Sequence, residues 1–262
     1  MALTPKQIKW LDKCTKGTWQ LNSQTGLVDV DGDFDCDDQD RRDFKGVRFG
    51  VVRGDFWCSN NQLTSLEGAP QEVRGNFNCS DNQLTTLEGA PREVRGNFWC
   101  VHNQLTTLEG APQVVGKDFY CNDNQLTTLE GAPQKVGGSF YCYDNQLTTL
   151  VGAPREVRGD FRCYNNQLIS LEGAPQVVGG GFGCGNTPVS RETLKSIFGI
   201  MKTGKGYLES LEYLWTEIPL EDQALLYRPE FEWVVGDERR KLDAERRKLD
   251  ALRAYQGFKF MI

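Results

Sequence analysis

Residues 75–95 read GNFNCSDNQLTTLEGAPREVR, and the chain repeats this block almost unchanged. Further copies start at Gly54, Gly96, Lys117, Gly138 and Gly159. A worn copy with one extra residue spans 32–53, and an incomplete copy spans 180–186. A fixed period of 21 residues is the signature of a solenoid, in which each unit stacks only on its neighbours. The copies also align the chain with itself. Positions that stay constant build the rung, and positions that vary are free for function.

The constant frame is V-x-x-x-F-x-C-x-x-N-x-L-x-x-L-x-G-A-P, seen at Val73, Phe77, Cys79, Asn82, Leu84, Leu87, Gly89, Ala90 and Pro91. Phe77 and Cys79 are two apart, so a short strand sends both side chains to the same side. The spacing of Leu84 and Leu87 suits an irregular arc. Gly-Ala-Pro breaks helix and strand alike and turns the chain on the outer side. Each rung buries five apolar groups, Val, Phe, Cys, Leu and Leu. A large buried side chain contributes ~1.5–3 kcal/mol, and ordering each residue's backbone costs ~1–2 kcal/mol. A single rung therefore cannot fold alone, and stacking stabilises the array. The Asn three residues after each Cys (Asn61, Asn82, Asn103, Asn124, Asn145, Asn166) is expected to form a ladder that satisfies main-chain groups.

The frame F-x-C-x-x-N-x-L-x-x-L resembles a leucine-rich repeat, with Phe and Cys in the first two leucine slots. The short repeat with its Pro is similar to the bacterial-effector subtype and to bacterial and tailed-phage proteins with FxCxxNQLTxLEGAP repeats. The chain departs from that subtype in its Gly-Ala-Pro and in one extra residue between Val and Phe. The resemblance covers 32–186. It implies an α/β repeat solenoid, mainly parallel β, with a curved sheet on the concave side and non-helical segments on the convex side. About eight rungs spaced ~4.8 Å apart give a sheet ~34 Å long.

Eight of the nine cysteines fall at one place in the period, from Cys36 to Cys184, with Cys14 outside it. No CxxC pair occurs. This pattern reads as buried thiols acting as small apolar groups in a reducing compartment, and not as disulfides or a metal site. The net charge of −6 arises before Thr187, since the residues from there onward carry none. That balance argues against a nucleic-acid backbone as ligand. No apolar run is long enough to span a membrane, and the N-terminus MALTPKQIKWLDK lacks the apolar stretch of a signal peptide.

Residues flanking Phe and Cys on the strand are expected to face outward, into the concavity. Between Phe and Cys stand Asp35, Trp57, Asn78, Trp99, Tyr120, Tyr141, Arg162 and Gly183. Before Phe stand Asp33, Asp55, Asn76, Asn97, Asp118, Ser139, Asp160 and Gly181, and after Cys stand Asp37, Ser59, Ser80, Val101, Asn122, Tyr143, Tyr164 and Gly185. Trp99, Tyr120 and Tyr141 lie on consecutive rungs, and Trp57, Tyr143, Tyr164 and Arg162 extend the patch. Aromatic residues and Arg anchor protein interfaces. The expected role is therefore to hold a partner protein; the alternatives are rings that only stack on each other or a sugar-binding strip. The acidic first rung, with Asp33, Asp35 and Asp37, suits a basic partner better than calcium, because no glycine and glutamate stand where a calcium loop needs them.

The ends differ from the middle. Residues 1–31 are expected to form an N-terminal helical cap and lead-in. Thr4-Pro5 starts a helix that runs to about Lys16, with Ile8, Leu11 and Trp10 on its apolar face. Residues 187–262 are expected to be a helical region. It holds a duplicated ERRKLDA, at Glu238 and again at Glu245, which reads as an exposed helix or a short coiled coil that could self-associate. No catalytic constellation is evident. His102, the single histidine, sits at a turn. Neighbouring Cys100 points inward, and no Cys follows Cys184, so the cysteine ubiquitin-ligase activity of some effector relatives does not carry over. The expectation is a non-enzymatic protein that needs neither cofactor nor metal; the alternative is that the repeats are a targeting device for an unrecognised activity in the helical region 187–262.

Overall fold

The structure, a computed structural model, describes residues 2–184. The expected helical region at 187–262, with Gly185 and Asn186, lies outside the described residues. Helix α1 (Pro5–Cys14) opens with a capping box: Gln7 N–H donates to Thr4 Oγ1, and Thr4 N–H donates to Gln7 Oε1. It ends before Lys16 because Thr15 already belongs to a strand, β1 (Thr15–Leu21). Trp10, Leu11 and Cys14 are buried, and the Trp10 ring meets Phe34 at 5.2 Å and Phe49 at 6.3 Å, edge to face. Ile8 does not share that face. At ~100° per residue it lies roughly a third of a turn away, and it is 39% exposed.

Strand β1 pairs antiparallel with β2 (Val28–Asp35), from Thr15↔Phe34 to Leu21↔Val28. Gly17 and Gly32 oppose each other there with φ of 138° and 129°. A Cβ on either would sit 2.1 Å from a carbonyl oxygen of the other strand, so only glycine fits. This antiparallel strand is absent from the expected lead-in; the short alternation TKGTWQL carries too few apolar residues to signal it.

Gly32 also marks a corner. The first half of β2 pairs parallel with β3 (Phe49–Val52), and its second half with β4 (Phe56–Trp57). From there the solenoid continues as two parallel ladders. One runs through the two-residue strands Glu72–Val73 to Val177–Val178, the other through Phe77–Asn78 to Phe182–Gly183. Seven parallel pairings connect Phe34 to Phe182, which makes about seven turns. The phenylalanine ladder is the sheet expected from the F-x-C frame. The valine ladder is additional; a lone constant Val with variable neighbours did not reveal a strand.

The core is the set of constant side chains. Val94, Phe98, Cys100, Leu105 and Leu108 are all fully buried in one rung, and other rungs repeat this. Successive Phe rings from Phe56 to Phe182 stack at 5.2–5.5 Å and within 13° of parallel. The arc closes at a type II turn. Ala90 N–H donates to Leu87 O at 2.9 Å, and Gly89 has φ 91°. A Cβ on Gly89 would sit 2.7 Å from the Leu66 carbonyl of the preceding rung.

The Asn ladder spans the rungs. Asn103 Nδ2 lies 3.0–3.2 Å from the carbonyl oxygens of Cys79, Cys100 and Val101, while its Oδ1 accepts from Leu84 N–H at 3.0 Å. Asn82, Asn124, Asn145 and Asn166 repeat the pattern. Each amide therefore ties its own turn to the rung before it.

Candidate interaction face

The outward face of the phenylalanine ladder carries a continuous ring stack. Strand alternation buries Phe and Cys and leaves the residue between them half-buried on the opposite face. Trp57 and Trp99 stack at 5.8 Å, Trp99 and Tyr120 at 5.7 Å, and Tyr120 and Tyr141 at 4.6 Å. Tyr143 meets Tyr141 edge-on at 6.4 Å and stacks on Tyr164 at 4.6 Å. Six expected site residues thus form one column. From Trp57 to Tyr141, and again from Tyr143 to Tyr164, the planes are within 24° of parallel and neighbouring rings cover each other's faces; the two stacks meet edge-on at Tyr141 and Tyr143. Tyr120 Oη donates to Asp118 Oδ2 at 3.1 Å. Burial and the Asp118 carboxylate push the Tyr120 phenol well above its usual range. Burial raises Tyr143 and Tyr164 as well.

Arg162 closes the column. It pairs with Asp160 at 3.0 Å and lies over the last rung, where a Cβ on Gly181 would come within 2.9 Å of its guanidinium. Among the described residues, this side chain occupies the space that the Gly181 and Gly183 positions open.

The residue before each Phe does more than face outward. Asp55 N–H donates to Asp33 Oδ1 at 2.8 Å, Asn76 N–H to Asp55 Oδ1 at 2.6 Å, and Asn97 N–H to Asn76 Oδ1 at 2.9 Å. The series continues through Asp118, Ser139 and Asp160 to Gly181. This second side-chain ladder satisfies the amides at the corner between the two strand columns. The signal was present in the sequence, since every residue from Asp33 to Asp160 at this position carries a side-chain acceptor.

The first-rung carboxylates are partly engaged. Asp33 serves the corner ladder, Asp37 accepts from Ser59 N–H at 2.5 Å, and Asp35 pairs with Lys16 at 2.9 Å. Burial raises the Asp37 carboxyl above its ordinary value. Among the described residues, no group of three or more His, Cys, Asp or Glu side chains is placed to hold a metal ion. No described helix is long and apolar enough to cross a membrane.

The position after Cys splits. Tyr143 and Tyr164 join the ring column, whereas Ser59, Ser80 and Asn122 are buried. Ser80 Oγ and Asn122 Oδ1 have no hydrogen-bond partner. One residue further on, Asp38, Asn60, Asp81, His102, Asp123, Asp144 and Asn165 all hold φ between 50° and 55°. Asn, Asp and His are the non-glycine residues that enter this left-handed region most readily. The single histidine therefore stands at a conformational position that its repeat counterparts fill with Asp or Asn. Cys100 beside it is fully buried, and its Sγ donates to Tyr120 O at 3.3 Å, so no Cys–His pair forms.

Cys14 and the ladder thiols from Cys36 to Cys163 are unpaired and buried, and Cys184 is buried too. Burial pushes each of them upward, Cys184 to about 12. On the valine ladder, a cleft of about 380 Å³ opens where Gly116 and Gly137 replace the Arg of other rungs; its Glu156 and Arg158 pair with each other at 3.9 Å. No protein-family model and no curated protein matches the chain.

Proposed function

We propose that this chain is a non-enzymatic binding module that holds a partner protein on the outward face of the phenylalanine ladder, the face that the leucine-rich-repeat resemblance makes concave. One observation carries the reading. Constant side chains build both faces of the core, while the variable outward row gathers Trp57, Trp99, Tyr120, Tyr141, Tyr143 and Tyr164 into one uninterrupted column. An interface centre of rigid aromatic residues with Arg162 at one end is a strong anchor for a protein surface. A sugar-binding strip is less well supported. Sugars pack on ring faces, and here the faces cover one another.

By resemblance to the short effector subtype, the partner is a host protein of a bacterium or phage, met in a reducing compartment where buried thiols persist. Helix α1 and β1 act as the N-terminal cap, and the C-terminal region 187–262 as the other. The test is affinity capture from the native host lysate by the full chain, compared with the triple variant Trp99→Ala, Tyr120→Ala, Tyr141→Ala. A partner lost from the variant supports the reading; unchanged capture defeats it.

A further inference from the structure

Beside the ring column the fold needs an acceptor oxygen in the corner row and a residue that tolerates positive φ in the left-handed row, but it does not need charge in either. In the corner row, Asn76 makes the same inter-rung bond as Asp33 and Asp55, at 2.9 Å against 2.8 and 2.6 Å. In the left-handed row, Asn60 and Asn165 hold φ of 50° and 51°, as Asp81 and Asp144 do at 54° and 51°. The chain nevertheless places carboxylates at Asp33, Asp55, Asp118 and Asp160 on one flank of the column. It places Asp38, Asp81, Asp123 and Asp144 on the other. Carboxylates make the shorter corner bonds, 2.6–2.8 Å against 2.9–3.0 Å for Asn, but like charges on neighbouring rungs also repel. Asn76, Asn97 and Ser139 fill the corner row without charge, and Asn60, His102 and Asn165 the left-handed row, so the carboxylates exceed what the fold requires.

Two further observations bear on what fills this face. Ion pairs within it are few: among the described residues, Lys16 pairs with Asp35 and Arg162 with Asp160. Ser80 and Asn122 lie between the ring row and the left-handed row, on the outward side by alternation with inward Cys79 and Cys121. They are 4% and 5% exposed, and Ser80 Oγ and Asn122 Oδ1 are unpartnered. Asn122 Nδ2 donates to Asp123 Oδ2 at 2.6 Å, which ties this row to the left-handed one. The cations of the rungs stand elsewhere: Arg53, Arg74, Arg95 and Arg158 follow the valine ladder, three of them paired with its Glu residues. Arg74, Arg95 and Arg158 are thus engaged with glutamates of the valine ladder and not with the carboxylates beside the ring column.

We infer that the partner surface held on this face is a cationic protein segment, rich in arginine or lysine, lying along the ring column with its charged groups reaching the two carboxylate rows. This rests on the aromatic column being a contact surface, and it specifies the chemistry of what the column contacts. Charge complementarity of this kind sets orientation and association rate as well as affinity.

The test uses the full chain and a fluorescein-labelled peptide of alternating arginine and serine, followed by fluorescence polarisation at low and at physiological salt. One variant carries Asp33→Asn, Asp55→Asn, Asp81→Asn, Asp123→Asn and Asp144→Asn. Each replacement is a residue that the same row already uses elsewhere, so this variant is expected to stay folded and to melt in one cooperative transition. A second variant changes Glu67, Glu88, Glu109, Glu130 and Glu172 on the exposed arc to Gln, which removes the same charge from another side. The expected result is peptide binding by the wild type, at least about tenfold weaker binding by the Asn variant, and near-wild-type binding by the Gln variant. No binding by the wild type, no loss in the Asn variant, or equal loss in both variants overturns the inference. Such a failure leaves the aromatic column untouched as a contact site, because that reading is decided by the alanine variant against the native partner.

Discussion

Trp57 and Trp99 stack at 5.8 Å although they stand two rungs apart, with Asn78 on the strand between them. Two steps of a ladder span roughly twice ~4.8 Å, so the indoles lean toward each other over the small amide. The outward column is thus continuous where the sequence has a gap. Surface stacking of this kind contributes ~0.5–1.5 kcal/mol per pair. Replacing Trp99, Tyr120 and Tyr141 by Ala breaks the four ring contacts from Trp57 to Tyr143 and is expected to lower unfolding free energy by about 2–6 kcal/mol, measured by urea denaturation. The cooperative transition persists, because the Phe stack and Asn ladder lie on the other face. Its disappearance would show that the column belongs to the core.

Asn103 is the opposite case, a polar side chain that the fold cannot spare. Asn103→Ala leaves the Leu84 N–H without its acceptor, while Cys79 O keeps Asn82 Nδ2, Cys100 O keeps Asn124 Nδ2 and Val101 O keeps the Asp81 N–H. A buried polar group left unsatisfied costs ~1–3 kcal/mol, so a loss of about 1–3 kcal/mol is expected in the same urea experiment. A loss below about 1 kcal/mol would mean that water or neighbouring groups replace the ladder.

The thiol column makes stability depend on alkaline pH. Each ladder thiol is raised by burial in the folded state, while in the unfolded chain it titrates at ~8.5. Above that pH the unfolded chain loses protons that the folded chain keeps. The stabilisation is therefore complete below about pH 8.5 and is lost progressively as pH rises toward the folded values. Each thiol contributes a decline of ~1.4 kcal/mol per pH unit. Urea midpoints are expected to be flat from pH 7 to about pH 8 and to fall steeply from about pH 9. Cys100→Ala combined with Cys121→Ala reduces the slope. An unchanged slope would contradict burial of neutral thiols.

His102 owes its place to backbone geometry, with φ 52° in the row otherwise filled by Asp and Asn. His102→Asn is expected to leave stability within about 0.5 kcal/mol of wild type, and His102→Val to cost ~1–2 kcal/mol. Thermal melts of the two variants check this. Equal losses in both would mean that the imidazole itself makes a contact the fold requires.

The repeat made much of this legible before any coordinates. Constant Phe77, Cys79, Leu84 and Leu87 announced the buried face, and recurrent Asn82 announced its ladder. What stayed hidden depends on geometry that a period does not encode. The valine ladder rests on two-residue strands such as Glu72–Val73, too short to show alternation. Strand β1 is polar and pairs through its backbone. Asp33 and Asp55 looked like freely variable surface, because Asp, Asn and Ser differ in charge while sharing the acceptor that the corner amides require. Of the candidate site, the ring column was readable from spacing. The buried state of Ser80 and Asn122, between that column and the left-handed row, was not.

The most direct measurement compares immobilised wild-type chain with the Trp99→Ala, Tyr120→Ala, Tyr141→Ala variant, both verified as folded, by quantitative mass spectrometry of proteins retained from native host lysate. The expected result is at least one protein retained by the wild type and depleted about tenfold or more on the variant, in line with loss of a central aromatic anchor. Identical retained sets would contradict the assignment of the outward ring column as the partner-binding face.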